Sequence, residues 1–157
     1  MSAIPDVMDA LVSTWQALGL TLTVNGNTQP VLIVDGPPYD ITGTVDFIAV
    51  GWERSPQATG VTGDGTTEDL DGEREAEVFN VSCLFAAWFG GTTRPVSAVR
   101  RAQFDALKTV RASLGGVVAS GVCDTATLRG RDWAVAELEG GVASDVPFDI
   151  QVTAYGL

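Results

Sequence analysis

The stretch Glu73-Arg74-Glu75-Ala76-Glu77-Val78-Phe79-Asn80-Val81-Ser82-Cys83-Leu84-Phe85-Ala86-Ala87 decides the architecture. In an extended chain Phe79, Val81, Cys83, Phe85 and Ala87 share one face, with Val78, Asn80, Ser82 and Leu84 opposite. That alternation predicts a long strand with one strongly apolar side, and such a side needs a covering layer. Gly90-Gly91 breaks the strand, and the cover follows at once. Ser97 is placed to cap a helix running to about Leu114, where Gly115-Gly116 ends it. Val99, Ala102, Ala106, Val110 and Leu114 form its core stripe, and Arg101, Asp105 and Lys108 face away.

Toward the N-terminus, Ile4, Val7, Met8, Leu11, Val12, Trp15 and Leu18 recur at helical spacing. They predict a helix from about Ile4 to Leu18, with Pro5 in the first turn and Gly19 as its stop. Thr21 to Val24 reads as a short strand, Asn25-Gly26-Asn27 as a turn, and Val31 to Val34 as a second strand. Thr44 to Trp52 is apolar on both faces, which implies a central or doubly covered strand, or one packed in an oligomer. The stretch 53–72 has no hydrophobic period and reads as a long acidic loop, a kind of segment that tends to be functional. Toward the C-terminus, Val122 to Leu128 and Trp133 to Leu138 flank Arg129-Gly130-Arg131-Asp132 like a hairpin. After Gly140-Gly141, Phe148, Ile150, Val152 and Ala154 share one face of a last strand. With neither repeat nor linker, residues 1–157 form one α+β domain: two helices on a mostly antiparallel or mixed sheet.

Composition excludes more than it proposes. The 157 residues suit one domain, and the 45% hydrophobic share suits a packed globule. Twenty acids against nine bases give a net charge of −11, which opposes binding a polyanion through a broad basic face. Histidine is absent, which removes Ser-His-Asp and Cys-His catalysis and histidine-ligated zinc. Cys83 and Cys123 form no CxxC pattern and read as small buried hydrophobes. The longest apolar run, Leu84 to Phe89, is far short of the ~20 residues of a membrane helix. No secretory signal opens the chain, so a soluble protein made in the cytosol, without a membrane partner, is expected.

Candidate chemistry is thin. Aligning Gly72 with the EF-hand glycine puts Asp69 and Asp71 at ligand positions. It also puts Thr67 and Val78 where the first and twelfth ligands need carboxylates. A looser calcium module on Asp64, Glu68 and Asp69 is the surviving alternative. Gly60 to Thr67 lacks the lysine of a phosphate loop, and Glu68 replaces the third glycine of a dinucleotide fingerprint. Glu53, Glu73, Glu75 and Glu77 could supply a glycosidase pair, but solubility at a sheet end is the simpler task for Glu75 and Glu77. No catalytic residue, cofactor or metal is assigned, and an enzyme is not expected.

Charge placement says more. Eight of the twenty acids lie between Glu53 and Glu77, whereas the second helix carries Arg100, Arg101, Lys108 and Arg111 against the single acid Asp105. A solvated helix face explains the helix. The sharper reading is a partner interface, with Arg100, Arg101, Phe104, Lys108 and Arg111 of one subunit meeting Asp64, Glu68, Asp69 and Asp71 of its neighbour. Trp52, Trp88 and Phe89 are further interface candidates, with core packing as their alternative.

Three runs carry a family resemblance: Glu73 to Leu84, the helix start Ser97-Ala98-Val99-Arg100-Arg101-Ala102, and the closing strand Pro147-Phe148-Asp149-Ile150-Gln151-Val152-Thr153-Ala154. With the opening helix and the acidic loop, the layout resembles the tail terminator (tail-completion) proteins of long-tailed, siphovirus-type bacteriophages, particularly those of actinobacterial phages. The resemblance implies a structural virion protein at the head-proximal end of the tail, assembled in the host cytoplasm. Such a protein forms a ring, commonly a hexamer, ends tube polymerisation and joins tail to head. The implied partners are further copies of itself, the tail-tube protein and a head-completion or neck protein, with genomic DNA passing through the lumen unbound. Part of Glu53 to Glu77 is then expected at the lumen or a ring neighbour. The alternative within the same virion is a head-completion, neck or tail-tube protein.

Overall fold

The computed structural model describes residues 2–38, 45–54, 61–64, 76–138 and 141–155. Two helices, α1 (Ile4–Ala17) and α2 (Val96–Ala119), pack on an eight-stranded sheet. The strands are β1 (Thr21–Val24), β2 (Asn27–Asp35), β3 (Asp46–Val50), β4 (Val61–Asp64), β5 (Ala76–Phe89), β6 (Thr125–Gly130), β7 (Ala134–Leu138) and β8 (Gly141–Tyr155). The order is β1-β2-β3-β5-β8-β6, with β4 on β5 and β7 on β8. Among the described strands only β2 and β3 run parallel, so the sheet is mixed but mostly antiparallel, as expected of this α+β chain.

The long ribbon is the spine. β5 and β8 pair from Ala76↔Tyr155 to Phe89↔Val142, a span of ~45 Å at the usual strand rise. Short strands flank it end to end, β3 and β4 along β5, β6 and β7 along β8. The predicted β6–β7 hairpin therefore does not form. The two strands instead occupy successive stretches of β8, Phe148–Thr153 and Gly141–Asp145, because one 15-residue strand is long enough to serve both. β4 falls within the segment read as structureless; a valine among polar residues left no period to detect. β3 is buried throughout and lies between β2 and β5, the central one of the placements that its two apolar faces left open.

Packing follows the alternation. Phe79, Val81, Cys83, Phe85 and Ala87 of β5 join Val146, Phe148, Ile150, Val152 and Ala154 of β8 beneath the helices. α1 contributes Val7, Leu11 and Trp15, whose ring lies 5.9 Å from that of Phe148. Leu18, the last residue of the expected stripe, caps the helix end instead and is 36% exposed. Gly19, at φ +60, turns the chain there into β1. α2 packs against β1, β5, β6 and β8, so both β1 and β6, the ends of the strand order, wrap around one helix.

The expected α2 needs three corrections. Its N-cap is Pro95, with no side-chain cap, so Ser97 lies inside the first turn. It runs through Gly115 and Gly116 to Ala119, because Val117 is fully buried and anchors the last turn to the core. That anchorage outweighs the ~1 kcal/mol that each helical glycine costs. Its buried face also includes Gln103 and Leu107, rotated from the expected stripe.

Candidate functional site

On an ideal helix, Arg100, Arg101, Phe104, Lys108 and Arg111 fall within an arc of about 100° centred on Phe104. Burial of Val99, Gln103, Leu107 and Val110 turns that arc outward. Phe104 is accordingly 45% exposed. Ser97, Arg100, Arg101, Phe104, Asp105 and Lys108 line a shallow depression of about 280 Å³. Arg111 lies one turn beyond it and is also exposed. Lys108 Nζ stands 3.3 Å from Asp105 Oδ1, a pair in open solvent. Arg100 differs: its guanidinium stacks on Trp133, 4.7 Å from the ring centroid.

That stacking joins the helix to the sheet through a polar relay. Trp133 Nε1 donates to Ser144 Oγ (2.7 Å), and Ser144 Oγ donates to Gln103 Oε1 (2.7 Å). Gln103 Nε2 donates to the carbonyls of Phe85 and Ser144. Gln103 is fully buried with its amide satisfied on both sides, which is how a polar residue occupies the core face. A glutamine at helical spacing reads as a surface residue, so the relay left no usable signal in the sequence.

A second concave region lies beside β7 and has a volume of about 370 Å³. Leu84, Ala134, Val135, Ala136 and Pro147 line it with Glu53, Arg54, Arg131 and Asp145. Gly51, at φ +74, starts the chain back across the sheet, and the amides of Gly51 and Trp52 both donate to the Ser82 carbonyl. This sets Glu53 and Arg54 over β8. Arg54 grips Asp145 with Nε (2.6 Å) and Nη2 (3.0 Å), while Arg131 Nη2 meets Glu53 at 2.6 Å. Arg131 Nε lies 3.3 Å from Asp149 Oδ1 without hydrogen-bond alignment. Burial raises the Asp149 carboxyl above the ordinary aspartate value against the pull of Arg131. Two arginines thus face three carboxylates here, and Asp149 Oδ1 is left without a hydrogen bond.

Several candidates turn out to hold the fold together. Trp88 donates to Gln29 Oε1 (3.2 Å) and lies 4.3 Å beneath the Arg94 guanidinium. Arg94 Nη2 reaches buried Asp46 at 2.8 Å, and burial raises the Asp46 carboxyl despite that partner. Phe89 and Trp52 pack on the two hydrophobic clusters. Glu77 accepts from the Ala3 amide (2.9 Å) and Ser2 Oγ (2.7 Å), and so anchors the start of α1. Cys83 and Cys123 are buried and unbridged, and burial pushes the Cys83 thiol up to about 12. Glu68, Asp69 and Asp71 lie outside the described residues, and of Asp64 only its place at the end of β4 is described. Of the stretch Glu53 to Glu77, the two flanking acids are engaged within the molecule, by Arg131 and by the α1 start. No described helix is long and apolar enough to cross a membrane.

The chain matches no protein-family model and no curated protein.

Proposed function

We propose that this protein is a structural subunit that assembles with copies of itself into a closed ring. In the reading that its sequence resemblance favours, the ring is a tail terminator of a long-tailed phage. It sits at the head-proximal end of the tail tube, ends tube growth and joins tail to head, with the tail-tube and neck proteins as partners. The observation that carries the reading is the α2 face. There an exposed phenylalanine lies amid four cations on a chain of net charge −11. An aromatic anchor within complementary charge suits recognition of another acidic surface, and a further copy supplies one. A head-to-tail contact closes into a ring when its rotation divides a full turn. The acid-rich composition also suits a conduit through which DNA slides without sticking.

Native mass spectrometry and electron microscopy of the purified protein test this. Closed rings of one size are expected. Tubes of indefinite length would reassign it as a tube subunit, and a monomer at high concentration would end the reading. The double variant Arg101→Glu/Lys108→Glu is expected to lose the ring at protein concentrations where the unaltered chain holds it. Its thermal midpoint stays close to that of the unaltered chain, because both side chains are exposed.

A further inference from the structure

We infer that Trp133, just ahead of β7, is a positioning residue for the α2 contact: it holds the Arg100 guanidinium ready for a carboxylate of a second copy of this chain. The inference rests on the self-association proposed above and adds which cation reads the partner and what presents it. The four cations around Phe104 are not equivalent. Lys108 is drawn to Asp105, while Arg101 and Arg111 are exposed. Arg100 is half-buried, its guanidinium carbon 4.7 Å from the centroid of the Trp133 ring. It makes no ion pair among the described residues. An aromatic ring attracts a guanidinium over its face, which leaves N–H groups at the edge to grip both oxygens of a carboxylate.

The ring is itself fixed from the core. Trp133 Nε1 is tied to Ser144 Oγ, and Ser144 Oγ to the Gln103 amide, which is held in turn by the Phe85 and Ser144 carbonyls. Gln103 and Ser144 are fully buried, so the relay cannot reorient without stranding polar groups in the core. Gln103 follows Arg100 by three residues in α2, so the path through Trp133 and Ser144 returns to the helical turn it left. A cation tethered in this way has already given up the rotamer freedom that Arg101 and Lys108 would lose on docking. That loss is a cost of association, and Arg100 largely avoids it.

Charge selects the occupant. Four of the chain's nine bases stand on this face against two of its twenty acids, Asp105, paired with Lys108, and Asp132, next to Trp133 in the sequence. Eighteen acids and five bases are left for the rest of the molecule, so outside this face a second copy presents an excess of carboxylate. The depression lined by Ser97, Arg100, Arg101, Phe104, Asp105 and Lys108 has room for such a group beside the Phe104 ring.

The test is a double-variant cycle on assembly of the full chain, read by native mass spectrometry over a dilution series. Trp133→Leu is expected to weaken assembly about threefold to tenfold, the range for ordering one long side chain on docking. In the Arg100→Ala background it is expected to have no further effect, because its action passes through Arg100. Trp133→Phe keeps a ring face and is expected to retain most of the affinity. Arg100→Lys keeps the charge but loses the planar fork, and is expected to weaken assembly nearly as much as Arg100→Ala. A Trp133→Leu loss that is the same with and without Arg100 overturns the inference and leaves the ring reading intact. Rings indifferent to Arg100→Lys do the same. A monomer throughout overturns both. Should Trp133→Leu fail to fold, the two Arg100 variants decide: near-equal losses support the inference, and assembly unchanged by Arg100→Lys overturns it.

Discussion

The two faces of the β5–β8 ribbon are built from alternating residues of the same two strands, yet they are held by different physics. The helix-covered face carries Phe79, Phe85, Phe148 and Ile150, fully buried like Trp15 of α1, whose ring meets that of Phe148. The opposite face begins with a small cluster of Phe47, Ala49, Leu84, Ala86 and Ala143. It then passes to Ser82, Asp145 and Asp149 under two arginines. The first face is an apolar core interrupted by one polar relay, in which Gln103 of α2 meets Ser144 of β8. The second is a set of directional pairs, each dependent on one partner being in place. Strand alternation thus separates what folds the chain from what shapes its outer surface.

Truncating one group on each face measures that difference. Phe148→Ala removes a ring packed on Trp15 at the centre of the covered face. It is expected to cost about 3–5 kcal/mol, because the sheet and α1 cannot collapse onto the void. Denaturant midpoints at unchanged m-value would show it; a cost under about 1 kcal/mol would mean that the two layers re-pack freely. On the opposite face, Arg54→Ala leaves the buried Asp145 carboxylate without its two donors. The expected loss is smaller, about 1–3 kcal/mol. Replacing both partners, Arg54→Met with Asp145→Leu, is expected to recover much of it, since a charge pair contributes little beyond satisfying itself. A double variant as unstable as the single one would instead make the pair a net contributor to the fold.

The two faces also differ in how far the sequence foretold them. The alternation of β5, the α1 stripe and the apolar half of β8 were legible because a buried face repeats with the period of its backbone. The cationic arc around Phe104 was legible for the same reason, as helical spacing of charges. Gln103 misled because its burial depends on Ser144, which lies 41 residues away in the chain. The Arg54–Asp145 pair spans 91 residues and exists only because Gly51 turns the chain back across the sheet. β6 and β7 resembled a hairpin because turn residues separate them, whereas pairing was decided by the length of β8. Periodicity reports which way a residue points; what meets it there is a property of the topology.

Asp149 supplies the smallest and sharpest discriminator of the outer face. Its native carboxyl is raised by burial, with Arg131 lowering it and Glu53 adding to the rise. The folded state therefore holds its proton more tightly than the unfolded chain, whose aspartates titrate near ~4. Between those values the native state binds more protons, so stability falls as the pH rises through the window and levels off above it. Asn mimics the protonated acid. Asp149→Asn is thus expected to gain stability relative to the unaltered chain as the pH rises above the ordinary aspartate value of about 4. Paired thermal melts on both sides of that value read the difference directly. A difference that moves the other way would mean that the Arg131 attraction outweighs desolvation, making Arg131 and Asp149 a stabilising pair.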